Sequence, residues 1–146
     1  MRQTGIAPVA ASLREMATLG ACMPAAGMFA ALDAATSLRR ALGHCFATFD
    51  MILTPAAAAL PWPATRTHPA KIDGRPVGPR GHAVFTAFAN IAGLPAIAVP
   101  GPAAASGLPI GVQLVGDTGA DVTLLAVAAQ VEAARDWHGR WPNCER

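Results

Sequence analysis

The sequence predicts an α/β fold, and three stretches carry that expectation. In residues 90–100, Asn90 precedes Gly93, Leu94 and Pro95, and a short apolar run (Ala96, Ile97, Ala98, Val99) is closed by Pro100. Gly93 suits the position just past a helix, where a left-handed backbone costs glycine nothing. Leu94 is the apolar residue that folds back on the last turn, and Pro95 forbids continuation. In residues 107–116, Gly107 and Pro109 open a second segment, Ile110, Val112 and Leu114 alternate, and Gly116 closes it. Alternation with a period of two between Gly and Pro is a strand signature. The connection at 101–109 is too short for a parallel crossover, so the two strands predict a β-hairpin. The third stretch is helical: Met28, Leu32, Ala35, Leu38, Leu42, Phe46 and Phe49 recur at three- and four-residue spacing and form one apolar stripe.

The remaining elements follow in order. Residues 12–19 allow a short helix that Gly20 and Pro24 stop. In the long helix, from about Ala26, the residues Asp33, Ser37, Arg40 and His44 lie opposite the stripe. Gly43 weakens it by about 1 kcal/mol relative to alanine. His44 has the chemistry of a base, but an exposed helix histidine is the simpler reading. Asp50 starts a strand that runs to Thr54 and ends at Pro55. Its carboxylate reads as an acceptor fixing the helix–strand turn, ahead of a catalytic role. Residues 61–81 carry five prolines and no period, which predicts an irregular crossover. Arg66, Lys71, Arg75 and Arg80 make it basic; solvated loop charge is the plain explanation, attraction of an acidic substrate the other. Residues 82–91 predict a helix that buries Ala83, Phe85 and Phe88, with Ala92 following. After Gly116, Thr118 and Asp121 have the spacing of a capping box, with Asp121 as N-cap the alternative. Leu124, Leu125, Ala128 and Val131 give the last helix its apolar face, and Trp137, Trp141 and Pro142 finish the fold against it. The chain reads as mainly helical over 1–49, strand and turn over 50–60, crossover over 61–81, and helix–strand–strand–helix over 82–142.

Composition bounds the function. Of 146 residues, 53% are hydrophobic and only 14% charged, against about 25% charged in average proteins. Such a surface suits a piece that more protein covers. A net charge of +2 gives no reason to expect nucleic acid or an anionic membrane. Residues 83–116 lack charge, but Pro95, Pro100, Pro102 and Pro109 cut them into pieces too short to span a bilayer. Arg14 and Glu15 end the N-terminal apolar run before a secretory core develops. Cys22, Cys45 and Cys144 are odd in number and lack metal-ligand spacing, as incidental thiols in a reducing cytosol would. A cytoplasmic protein is expected, with no metal and no cofactor.

Taken together, these residues resemble the C-terminal part of amidase signature enzymes. The resemblance rests on Asn90, Gly93, Leu94, Pro95 and Ala96, then Gly107, Leu108, Pro109, Gly111, Gln113, Leu114 and Gly116. It extends upstream to Asp50 and Pro55 and downstream to Asp121, Leu124, Leu125, Glu132 and Pro142, so that it covers the chain from about Leu19 onward. It implies a partial amidase-signature fold: a mixed β-sheet covered by helices, with residues 1–146 the C-terminal portion of a single amidase domain. It also implies hydrolysis of a small-molecule carboxamide by a serine nucleophile whose proton passes through a second serine, on a cis peptide, to a lysine. A serine hydroxyl needs such a base, and a lysine serves as one only when burial favours its neutral form. The family's nucleophile sits in a Gly/Ser-rich run whose amides form an oxyanion hole. Here Ser12, Ser37 and Ser106 are isolated, Lys71 is the only lysine, and no such run occurs. The resemblance therefore puts the catalytic groups upstream, and this chain alone is expected to be inactive. Its partners would be an upstream amidase segment or a second copy. Family members that bind a substrate α-amine carry a carboxylate where this sequence has Ala83, which disfavours glutamine-like substrates. His82, Phe85 and Thr86 are the candidate substrate neighbours, although packing explains Phe85 and Thr86 equally well. Asn90 and Gln113 read as structural residues rather than oxyanion donors. The alternative is a non-catalytic binding or regulatory module that docks on a complete amidase.

Overall fold

The computed structural model describes residues 11–135 and Trp137. Trp141, Pro142 and Cys144 lie outside the described residues. The chain divides into two compact units, residues 1–36 and 37–146. The first contains α1 (Ala11–Ala21) and the start of α2 (Ala25–Phe46). Gly20 and Pro24 bracket the break between the helices, and the Pro24 carbonyl accepts from the amides of Gly27 and Met28 to start α2. The apolar stripe on α2 exists, but no residue of this helix is buried. Met28, Leu32 and, just beyond the helix, Phe49 are more than half exposed.

The second unit is built on a three-stranded antiparallel sheet in the order β1 (Ile52–Pro55), β5 (Gly111–Val115), β4 (Ala96–Pro100). The central strand is the last in sequence. Leu53, Thr54 and Pro55 stand opposite Leu114, Gln113 and Val112 on one side of it. Ile97, Ala98 and Val99 stand opposite the same three residues on the other. β4 and β5 form the hairpin that their alternation predicts, and their connection contains Gly107 at φ +80°. Helix α4 (Asp121–Ala134) packs on β4 and buries Leu124 and Ala128. Val115, at 0% exposed, and Leu124, at 2%, are the best-buried large side chains. Among the described residues neither β1 nor β4 has a second strand neighbour.

Four local expectations are corrected. Residues 82–91 do not form one helix: a 3₁₀ turn, η1 (Gly81–Ala83), is separated from a short helix, α3 (Ala87–Ala92). The break lies at Phe85, whose carbonyl is committed to β1 and β5. Phe85 is accordingly 40% exposed instead of buried, and Ala89 takes the core position. The crossover is not wholly irregular, because β2 (Lys71–Ile72) and β3 (Arg75–Pro76) pair through a turn at Asp73 and Gly74, with φ of 48° and 72°. Asp-Gly is the dipeptide that such a turn favours, since both central residues need positive φ. At α4 the N-cap is Ala120, with no side-chain cap bond. The Asp117 carboxylate instead accepts from the Thr118 amide at 2.8 Å, which excludes both the capping box and Asp121 as N-cap. Finally, the turn after α2 is closed by the amides of Thr48 and Phe49 on the Cys45 carbonyl. Asp50 is exposed beyond it.

Candidate functional site

The candidate residues lie on the segment that crosses the sheet between the crossover and α3. Gln113 anchors it. This side chain is only 7% exposed, and a buried amide without partners would cost about 1–3 kcal/mol. Its Nε2 donates to Thr54 Oγ1 at 3.2 Å and to the Phe85 carbonyl at 3.1 Å. Thr54 Oγ1 donates in turn to the same carbonyl at 3.3 Å. The register makes this closed triangle available, since Thr54 stands directly opposite Gln113 on the neighbouring strand.

The three predicted site residues are adjacent in space but differ in what they offer. The His82 carbonyl accepts from the Ala58 amide at 2.9 Å, tying η1 to the loop after β1. The His82 ring lies 5.1 Å from the indole of Trp62, inclined by 52°. Its Nδ1 is buried without a hydrogen-bond partner among the described residues. Phe85 is fixed through its backbone and leaves its ring part-exposed. The Thr86 hydroxyl donates back to the Ala83 carbonyl at 3.2 Å, so its donor is used inside the segment and only its acceptor lone pairs are left over. No charged side chain occurs between His82 and Ala92.

The far end of α3 is closed twice. Gly93, at φ +73°, donates to the Asn90 carbonyl at 3.3 Å, and Leu94 donates to the Ala89 carbonyl at 2.9 Å. This pair of bonds is a Schellman closure. Asn90 thus acts through its main chain, and its side chain is exposed. Arg39, from α2, donates through Nε to the Ala92 carbonyl at 3.2 Å and through Nη2 to the Ile91 carbonyl at 3.0 Å. A guanidinium fork there satisfies two carbonyls at the negative end of the helix. Gly111 permits the close approach of loop and strand: a Cβ there would sit 2.9 Å from that of Ala56. Pro95 carries its carbonyl to the Gly116 amide at 3.0 Å, so the two motif segments meet at the end of the sheet.

Sequence reasoning did not single out Arg39, Thr54 or Trp62. Thr54 had a signal, a hydroxyl strand residue in register with a buried glutamine, but reading it needs the pairing. Ser37 and Ser106 are exposed, as are His44 and Lys71. No group of three or more metal-ligating side chains occurs among the described residues, and no single helix among them is long and apolar enough to cross a membrane.

The family model for amidases matches residues 7–125. The chain belongs to the amidase family. This amidase-family chain is 38% identical over 98 residues to a glutamyl-tRNA(Gln) amidotransferase subunit of Neisseria meningitidis serogroup C, a match that covers 67% of the chain and 19% of the relative. The corresponding protein of Thiobacillus denitrificans is 38% identical over 113 residues, covering 75% and 22%. Among solved structures, a bacterial aryl acylamidase of the amidase signature family superposes with a TM-score of 0.79 at 26% identity, over 90% of this chain and 27% of that one. The 6-aminohexanoate cyclic dimer hydrolase complexed with substrate gives 0.70 at 28%, over 89% and 29%. The architecture is therefore part of the amidase signature fold. The chain spans about a fifth of the length of the curated relatives it matches.

Proposed function

We propose that this chain is the C-terminal portion of a cytoplasmic amidase-signature amidohydrolase and supplies one wall of its amide site. The observation that supports this most directly is an amidase match over residues 7–125 in a chain that covers about a fifth of its relatives. In this reading a preceding segment brings the nucleophilic serine, the relaying serine, the lysine and the oxyanion amides. The serine proton passes through the relaying serine to the lysine as the hydroxyl attacks the amide carbon, and the oxyanion rests on backbone N–H groups. The C–N bond breaks as the amine takes that proton back, and water then cleaves the acyl-serine ester to the carboxylic acid and the free serine. The present chain contributes shape and polarity. His82, Phe85 and Thr86, held by the Gln113–Thr54 triangle, face the substrate with an aromatic ring and hydroxyl lone pairs and no charge. Such a wall suits a neutral amide, since a cationic amine would lose hydration there without gaining a partner.

Both sequence relatives are named as amidotransferase subunits, and assembly is part of the proposal here as well: the partner is an upstream amidase segment or a second copy. Two assays test it. The purified chain alone is expected to hydrolyse none of a panel of simple aliphatic and aromatic amides. Co-expressed with the upstream segment of a close relative, it is expected to restore hydrolysis. Turnover by the isolated chain that Ser106→Ala abolishes would move the nucleophile into the β4–β5 connection and overturn the reading.

A further inference from the structure

We propose that the cleft between the loop after β1 and the start of β5 binds a compact, uncharged ring or branched aliphatic group. Its walls are Ala59, Leu60 and Trp62 on one side and Pro109, Ile110 and Gly111 on the other, around a space of about 160 Å³. An apolar cavity of about 150 Å³ holds one benzene, so a single ring is the size the cleft takes. No charged side chain lines it. An ion entering it would give up hydration for no counter-charge, which selects for neutral groups.

The space is built rather than left over. Ala56, Ala57 and Ala59 are too small to fill it, and main-chain bonds tie the wall that carries them to β5 and to η1. The Ala56 amide donates to the Gly111 carbonyl at 3.0 Å and the Ala58 amide to the His82 carbonyl at 2.9 Å. Trp62 is oriented by its Nε1, which donates to the Arg66 carbonyl at 3.0 Å, and by the His82 ring 5.1 Å away. The His82 Nδ1 has no partner among the described residues, so no bond from that atom competes with the contact to Trp62. At Gly111 a Cβ would sit 2.9 Å from that of Ala56, so the strand keeps this approach only without a side chain there. A hollow whose walls are fixed in this way is formed before a ligand arrives. The site borders the 82–86 segment through His82 but does not depend on the hydrolytic reading, and either can fail alone.

The test uses the full chain carrying Trp137→Phe and Trp141→Phe, which leaves Trp62 as its only tryptophan. Its emission is followed while benzamide is added, with benzoate and benzamidinium as probes of the same shape and opposite charge. Benzamide is expected to saturate with a Kd on the order of 1 mM or tighter, and both ions to bind at least about tenfold more weakly. Ala59→Phe, which fills the space, is expected to abolish saturation. The comparison of the three probes on the parent chain decides the matter even if that variant does not fold. A linear benzamide response, equal binding of all three probes, or unchanged binding in a folded Ala59→Phe chain would overturn the proposal. So would loss of benzamide binding when an upstream amidase segment is co-purified, because the cleft would then be a packing seam of a larger domain.

Discussion

Gln113 shows how one side chain can connect three parts of the molecule. Its amide reaches β1 through Thr54 and the η1–α3 segment through the Phe85 carbonyl, so Phe85 cannot continue a helix and its ring is left toward solvent. Gln113→Leu is expected to loosen this segment by about 1–3 kcal/mol, because Thr54 keeps its single bond to Phe85 while the glutamine's two are lost. Gln113→Glu should be worse, since a buried carboxylate would face a carbonyl oxygen with no proton between them. Amide hydrogen exchange over 86–92 is the measurement; roughly tenfold to hundredfold faster exchange is expected for Gln113→Leu. Unchanged exchange there would show that the triangle does not hold the segment. The glutamine was visible in the sequence as a polar residue in mid-strand. Its partners were not, because Thr54 is 59 positions away and only the register brings them together.

Among the elements, those with chemical punctuation were legible and those shaped by tertiary contacts were not. Gly93, Leu94 and Pro95 announced the end of α3 because only glycine takes a left-handed backbone without strain. The same reasoning passed over Asp73 and Gly74, although this dipeptide marks a two-residue hairpin as strongly as any; the prolines around it hid a unit only two residues long on each side. The start of α3 could not be read at all, since hydrogen bonds from distant strands decide it. The α4 cap was misread because Asp117 binds its own neighbour's amide. Gly93→Val is expected to be far more damaging than Ala92→Val, since it forces a β-branched residue to φ +73° and opens both closing bonds. The soluble yield of each variant, expressed with whatever partner keeps the parent soluble, is the readout. Equal losses would show that the closure does not matter.

For the molecule as a whole, surface outweighs core. Leu53 on an edge strand, Ile91 on α3, and Val122 and Leu125 on α4 are exposed, and both edge strands have one side without a strand neighbour among the described residues. Open edges and apolar patches of this kind draw other chains. The isolated protein is therefore expected to sediment as associated species and to bind a hydrophobic dye strongly. A compact monomer with a sharp thermal transition and little dye binding would instead favour an independent binding module. The sheet order also carries a consequence for synthesis. β1 and β4 do not pair; among the described residues each bonds only to β5, the last of the three in sequence. At roughly 5–20 residues per second, Ile52–Pro55 leaves the ribosome and waits on the order of seconds before β5, its partner in this sheet, is made. Until Gly111–Val115 emerges, the growing chain holds two strands without the one that joins them, and whatever shields them in that interval becomes a condition for its folding.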